Sequence, residues 1–294
     1  GNTTFNAASI GILIFSDAFT ATGATLTLTI GTLDTNGQTL TIGGLNISNS
    51  NTRTLTLGNS SISLSQSRSQ TLLAFTTTNL TFTAGTSTIT FTGGGGGLTG
   101  PGSGGLTFYN VVFTGSGTHQ ISGANTYTNL THTGTAAKTD ILNFVNNQTI
   151  TGTLTINGNS ATNRVLVTSD TLGTARTLTA ATVSVSNADF RDITGAGAGS
   201  WNLAAITGNS GDAGGNSGIT FTTATTQTWS GTVGGNWSTN LWTSRVPLPQ
   251  DDVTISSAFS ATQTVTLDMP RAGKSINWTG ATGTPAWAKT TATT

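Results

Sequence analysis

The chain alternates polar and apolar residues with a period of two over many short segments. The longest reads TLTLTI from Thr25 to Ile30, and the same pattern returns at Thr39–Ile42, Thr54–Leu57 and Thr153–Ile156. Because successive side chains of a strand point to opposite faces, this period predicts strands with one buried and one wet face. No segment carries a sustained apolar stripe of helical period, and Gly, Asn, Ser and Asp separate the segments. The alternation predicts an all-β protein.

A repeated frame predicts which all-β architecture the chain adopts. Three segments share the pattern T-x-x-N-[LV]-x-[FH]-T, centred on Asn79, Asn110 and Asn129. The longer of the two intervals contains the Gly-rich run 93–105, which we interpret as a loop insertion. A step near 20 residues predicts the coil of a parallel β-solenoid (β-helix), with the asparagines stacked as a ladder at a corner. At about 20 residues per coil and about 4.8 Å per rung, the chain is expected to form roughly 12 to 14 coils, or about 60 Å of rod.

Stacked antiparallel β-sandwich domains are the alternative architecture. The two-residue Asn-Gly and Asp-Gly turns expected between hairpin-linked strands are scarce, which favours the solenoid. Composition divides the chain into residues 1–186, a Thr-rich solenoid, residues 187–225, its turn-rich end, and residues 226–294. The last segment is predicted to hold a Trp-rich junction and the start of a further β module.

Three tryptophans mark this junction: Trp229, Trp237 and Trp242. Their spacings of 8 and 5 residues, within a Gly, Asn and Ser frame, do not fit one face of a helix. We expect them to plug a loop-rich junction, where they would cover the exposed ends of coils.

The junction also carries a resemblance to a known group of proteins. The succession Trp229-Ser230-Gly231, Gly235-Asn236-Trp237-Ser238, Trp242, Val246-Pro247 and Asp251-Asp252-Val253 resembles modules of large secreted repeat proteins. These are bacterial surface adhesins of the filamentous-haemagglutinin and autotransporter-passenger kind, with related phage filament proteins, and the resemblance covers residues 188–255. It implies an extracellular, right-handed β-solenoid used for display, adhesion or filament building, and it carries over no catalytic or ligand residue.

Charge and cysteine content narrow the possible partners. The formal net charge is zero and charged residues make up 7% of the chain, against about 25% in ordinary domains. A neutral chain lacks the basic surface that nucleic acids require. The longest apolar stretch, Ile10–Phe15, is too short to insert across a membrane. With no cysteine, the chain has neither disulfides nor thiolate metal sites.

Candidate chemistry is sparse. Asp189, Asp192 and Asp212 are weak candidates for calcium ligands or an acid pair, although aspartates in such segments more often stabilise turns. His132 occupies the position of Phe82 and Phe113 in the repeated frame, so we expect it to pack inward. We predict no catalytic residue, no metal site and no cofactor.

The predicted function is a non-enzymatic, extracellular structural or adhesive rod or filament subunit, on a cell surface or as a viral fibre. Charged side chains at strand edges normally disfavour pairing between molecules, and this chain has few of them. We therefore expect head-to-tail association with copies of itself or with successive modules. The alternative is a fibre protein that binds or cleaves carbohydrate, with surface glycans as partners and Tyr109, Tyr127 and Trp201 as sugar platforms. Ice binding by stacked T-x-T rows is a third hypothesis, which the uneven intervals between those segments disfavour.

Overall fold

The computed structural model describes residues 3–6, 11–66, 71–99, 105–230, 233–239, 241–255, 259, 263–270 and 272–290. These residues form an all-β protein in which a large parallel sheet is wound as a β-solenoid of about 11 turns. The predicted fold class is therefore confirmed, and the antiparallel sandwich is not the fold. Within the described ranges, no helix could span a bilayer.

The first nine strands build the N-terminal turns of the solenoid. They are β1 (Thr3–Asn6), β2 (Ile12–Ile14), β3 (Phe19–Asp34), β4 (Thr39–Ile47), β5 (Arg53–Thr56), β6 (Ser61–Leu64), β7 (Thr71–Phe75), β8 (Leu80–Thr83) and β9 (Thr88–Phe91). The long strand β3 bends around a corner, because its first half pairs with β4 and its last residues pair with β5.

Eleven further strands complete the solenoid. They are β10 (Gly96–Thr99), β11 (Thr107–Phe113), β12 (Thr118–Ser122), β13 (Thr126–Thr133), β14 (Ile141–Phe144), β15 (Gln148–Asn157), β16 (Val165–Ser169), β17 (Arg176–Ser186), β18 (Ala188–Arg191), β19 (Ile193–Ala196) and β20 (Ser210–Asp212).

Most strands of the solenoid pair in parallel with a strand one turn further along the chain. The series that carries the longest continuous columns of residues runs β3–β4–β6–β9–β11–β13–β15–β17. Residues stacked on neighbouring turns lie as few as 17 positions apart, at Arg176 and Ile193, or as many as 30, at Gln148 and Leu178. Most turns are thus longer than 20 residues, which corrects the expected 12 to 14 coils to about 11.

The apolar positions of these strands stack into continuous inward columns. In the series from β3 to β17, one such column consists of Leu40, Ile62, Ile89, Val111, Leu130 and Leu154, each at most 1% exposed. Each such side chain gains about 1.5–3 kcal/mol on leaving water. The neighbouring column includes Phe91 and Phe113, whose rings stack with centroids 4.5 Å apart. The alternation seen in the sequence is therefore the division between core and surface.

The Gly-rich run is in part a strand, which corrects its interpretation as a loop insertion. Gly96–Thr99 forms β10, between β7 and β12. A Cβ on Gly96 would lie 2.6 Å from the Leu72 side chain, so glycine makes room for that buried leucine. Residues 100–104 of the run lie outside the described residues.

A second, smaller unit follows the solenoid. Its strands are β21 (Thr226–Thr228), β22 (Gly235–Asn236), β23 (Asp252–Thr254), β24 (Thr264–Leu267), β25 (Ser275–Asn277) and β26 (Ala286–Lys289). They form two three-stranded parallel sheets, β21-β23-β25 and β22-β24-β26. The unit therefore has the same rung-on-rung pairing as the solenoid, around a hydrophobic cluster of its own.

Candidate functional site

Two of the three predicted ladder asparagines stack on each other. Asn110 and Asn129 are partners across β11 and β13, and the Asn129 amide donates to Asn110 Oδ1 at 2.9 Å. The Asn110 amide in turn donates to Thr88 Oγ1 at 3.1 Å. Asn79 lies elsewhere, in a left-handed conformation (φ 54°), and donates to the Ser50 carbonyl. The ladder thus continues to a threonine on its N-terminal side rather than to Asn79.

The asparagines belong to one outward face of the strand series from β3 to β17, which we call the hydroxyl face. It consists of two rows of side chains, and the strand registers place each member opposite its neighbour on the next turn, with one exception. Between Asn129 and Thr153 the register shifts, and the Thr153 backbone amide donates to Asn129 Oδ1. Row one is Thr20, Thr41, Ser63, Thr90, Val112, Thr131, Thr155 and Ser184. Row two is Thr39, Ser61, Thr88, Asn110, Asn129, Thr153 and Thr182.

The three candidate aspartates do not converge on one site. Asp189 is buried and pairs with Arg164, whereas Asp192 Oδ2 accepts a hydrogen bond from the Gly173 amide. Asp212 Oδ1 accepts a hydrogen bond from the Gly214 amide at 2.9 Å, so Asp212 stabilises a turn, which is the alternative role given for these aspartates from the sequence. Among the described residues, no group of three or more histidine or acidic side chains is placed to hold a metal ion.

Arg164 and Arg53 are buried cations that sequence reasoning missed. The Arg164 guanidinium is 1% exposed, and its Nε donates to Asp189 Oδ1 at 2.8 Å. Its Nη atoms donate to the carbonyls of Gly208, Ala188 and Asn209. Arginine usually lies at the surface, so only knowledge of the surrounding carbonyls could have placed it inside.

Arg53 occupies a corner of the coil in a similar way. Its guanidinium donates to the carbonyls of Asn51, Ile47, Thr76 and Thr78. Burial lowers the pKa of Arg53. Both arginines hold loops between strands, which is a structural role.

His132 packs inward, as expected, within the aromatic column. It is 0% exposed and stands one turn beyond Phe113 in the strand register. Phe82, the other expected equivalent, belongs to a different column, since it packs against Phe75 and Phe108. Neither ring nitrogen of His132 has a hydrogen-bond partner in the described structure.

Burial and the neighbouring His119 lower the pKa of His132 from 6.5 to about 4, against an opposing effect of Asp140. His132 therefore binds a proton near pH 6.5 in the unfolded chain but only near pH 4 in the native protein, so the free energy of unfolding falls over this interval as the solution is acidified.

His132→Phe places at this position the residue type of the preceding turn, Phe113, and should remove this pH dependence. Between pH 7 and 4.5, urea unfolding should show the wild type losing about 2 to 3 kcal/mol more than the variant. Equal losses of unfolding free energy in the wild type and the variant would contradict the lowered pKa of His132.

The three junction tryptophans form the core of the C-terminal unit. Trp229 and Trp242 rings meet edge to face with centroids 5.0 Å apart, and Trp237 and Trp242 lie 4.5 Å apart. Their cluster also contains Val253 and Val265, and it is separate from the core of the solenoid. The tryptophans thus fill the interior of new parallel rungs.

The edge of β20, the last strand of the solenoid, is covered instead by the side chain of Gln250. Its carboxamide oxygen accepts from the Asp212 amide at 2.8 Å, and its nitrogen donates to the Ser210 carbonyl at 2.9 Å. The side-chain amide thereby occupies the edge of β20 as a neighbouring strand's peptide group would. Covering an edge in this way prevents further pairing there.

The C-terminal unit also contacts the side of the solenoid. Lys138, in the loop before β14, donates to Asp268 at 2.5 Å and to Ser238 at 3.1 Å. Burial tends to raise the pKa of Asp268, but the hydrogen bonds from Lys138 and Ser238 hold it below its usual value. In the series β14–β16–β18–β20, β14 lies three turns before β20. The contacts of Lys138 and of Gln250 therefore bind the C-terminal unit to the solenoid at positions three turns apart.

Two of the three expected sugar platforms are buried, which corrects that expectation. Tyr127 is 0% and Trp201 6% exposed, while Tyr109 is half-buried. Tyr127 stacks on Phe108 with centroids 5.7 Å apart, so its position continues an inward column. An open aromatic groove of about 500 Å³ lies instead at the last rung of the C-terminal unit, lined by Ile276, Trp278, Ala281, Pro285 and Trp287.

Comparisons of this chain with protein-family models, with curated proteins and with solved structures found no match. The fold defines the class of the protein, which is a parallel β-solenoid of about 11 turns. The likeness of residues 188–255 to secreted bacterial and phage repeat proteins stays a prediction from the sequence.

Proposed function

We propose that this protein is a non-enzymatic structural segment of an extracellular rod or filament, carried on a cell surface or by a virus. The observation that supports this function is the parallel ladder, which stacks turn on turn from β1 to β20. Such a stack forms an elongated body whose stability comes from contacts between neighbouring turns. The extracellular location rests on the likeness of residues 188–255 to secreted repeat proteins.

Free strand edges support association with further copies or modules. Among the described strands, β1 and β2 pair only with β3, while β25 and β26 pair only with β23 and β24. Large exposed hydrophobic side chains concentrate on these strands. Four of the six found among the described residues are Ile12, Ile14, Ile276 and Trp287. Unpaired backbone edges beside exposed apolar side chains promote strand pairing between molecules.

Trp287→Lys tests this association, because it places a charge in the exposed groove at the last rung. We expect the wild type to form longer particles with rising concentration, and the variant to shift that transition to at least about tenfold higher concentration, as a loss of about 1.4 kcal/mol would do. Sedimentation velocity and negative-stain images measure the particles. Leu172→Lys is the matched control, since Leu172 is 77% exposed on a loop away from these edges. Monomers of wild type at all concentrations would contradict the proposal.

Carbohydrate binding is the second candidate function, and the groove between Trp278 and Trp287 favours it. The two rings stand nearly perpendicular with centroids 6.0 Å apart, and Trp287 is 42% exposed. Exposed indole faces beside an open groove suit the apolar faces of sugar rings. A glycan array distinguishes the two functions: binding that Trp287→Lys abolishes, without concentration-dependent assembly of wild type, would favour the carbohydrate function.

A further inference from the structure

The T-x-T segments recur at uneven intervals in the sequence, but the strand registers align them in space. Between Thr90 and Ser184 the row-one residues lie 19 to 29 positions apart in sequence, yet each is the direct partner of the next. Loops of different length absorb the unevenness, so the strand positions remain aligned. Row one is therefore a regular array over eight turns, and row two runs beside it over seven turns with one register shift, between Asn129 and Thr153.

The chemistry of this array is uniform. Neither row contains a charged or an aromatic residue. Val112 is the one member of row one without a polar group, and it has the same branched shape as threonine. Every threonine in the rows presents a hydroxyl and a methyl group together, so the face offers hydrogen bonds and apolar contact at each step.

The hydroxyls of row one are available to an external ligand. None of them makes a hydrogen bond to another described residue, whereas Asn110 and Asn129 in row two are bonded to their neighbours. Each row-one side chain is half-buried or exposed. An uncharged lattice with hydrogen-bond donors and acceptors at regular intervals complements such a face better than an ion or a charged polymer.

We propose that the hydroxyl face binds the surface of ice. Parallel rungs repeat at about 4.8 Å. In a tetrahedral network of water with hydrogen bonds of about 2.75 Å, second-neighbour oxygens lie about 4.5 Å apart. The mismatch of about 0.3 Å per rung keeps three or four consecutive turns within about one ångström of register. Hydroxyls then bond lattice waters while the methyl groups lie between them.

A sugar polymer or a second copy of the face fits the observations less well. Binding sites for sugar rings use aromatic platforms, which both rows lack. Face-to-face pairing of two copies would bury the row-one hydroxyls against each other, and it is an outcome that the experiment below detects.

The test uses the purified chain in measurements of thermal hysteresis and of ice recrystallisation. The proposal predicts a measurable hysteresis and faceted ice crystals for the wild type. Thr131→Tyr, which places a bulky ring in the middle of row one, should reduce the activity at least tenfold. Gln120→Tyr is the matched control, because Gln120 is an exposed outward residue of β12 on another face of the solenoid. Its activity should equal that of wild type.

Three results would overturn the proposal. They are a wild type without hysteresis or recrystallisation inhibition, equal activity of Thr131→Tyr and wild type, and equal loss in both variants. Circular dichroism and urea unfolding confirm that each variant is folded. If Thr131→Tyr unfolds, Thr155→Tyr, one turn further along row one, takes its place with the same expected loss. Sedimentation that reveals a dimer abolished by Thr131→Tyr, without ice activity, would identify a second copy as the occupant instead.

Discussion

Val111→Asp should prevent stable folding, whereas Val112→Asp, one residue along the same strand, should leave the protein folded. Val111 is 0% exposed between Ile89 and Leu130, so the substitution buries a carboxylate in the apolar column. Burial of an unpaired charge costs more than about 4 kcal/mol. Val112 lies between Thr90 and Thr131 on the hydroxyl face, where an aspartate remains hydrated and costs about 1 kcal/mol as a poor strand former.

Urea unfolding followed by circular dichroism measures both variants. If Val111→Asp yields no soluble protein, the pair Val111→Ala and Val112→Ala gives a milder comparison. The buried position should then lose about 2 to 3 kcal/mol and the outward one about 1 kcal/mol or less. Similar losses at the two positions would mean that the alternation does not separate core from surface.

Arg164→Met is the second large expected loss. It removes the guanidinium that binds Asp189 and three carbonyls, and it leaves a buried carboxylate without that cation. Removal of one partner of a buried pair destabilises by about 3–5 kcal/mol. The double variant Arg164→Met/Asp189→Leu should recover much of the loss, because two apolar side chains replace the pair.

Arg176→Met provides the matched control for Arg164→Met. Arg176 binds Asp170 at 2.7 Å, but both side chains are partly exposed, at 22% and 25%. Water screens such a pair, so its loss should change the free energy of unfolding by about 0–1 kcal/mol. Comparable effects of the two arginine substitutions would contradict the structural role assigned to Arg164.

The alternation of side chains predicted the fold because it reports directly on the two faces of each strand. Threonine, serine and asparagine occupy the outward rows, and leucine, isoleucine, valine and phenylalanine the inward columns. The same reasoning placed His132 in the core, since it follows Phe113 in register. Parallel pairing was predicted from the repeat step near 20 residues and from the scarcity of hairpin turns.

Loop length is what the sequence could not supply. The frame that aligned Asn79 with Asn110 assumed one coil length, but the direct partner of Asn110 on the preceding turn is Thr88. Because of the same assumption, the segment that forms β10 was predicted as part of a loop insertion, and the T-x-T segments were judged too unevenly spaced to align. Register depends on which turn each loop completes, and this is decided by packing between rungs rather than by any local pattern.

The buried polar contacts were also beyond sequence reasoning. Gln250 covers β20 from 38 positions away along the chain, and Lys138 reaches Asp268 from 130 positions away. Each depends on where the C-terminal unit lies against the solenoid. The tryptophans of that unit lie in its own core, whereas the edge of β20 is covered by Gln250.

Distances between turns test the parallel solenoid most directly. The chain has no cysteine, so pairs of introduced cysteines can carry nitroxide labels without other changes. Labels at Thr41 paired with Thr131, Thr155 or Ser184 span four, five and six rungs of row one. Pulsed electron–electron double resonance should give distances between the two labels near 19, 24 and 29 Å, rising by about 4.8 Å per rung. Distances that do not rise steadily along this series would contradict the solenoid.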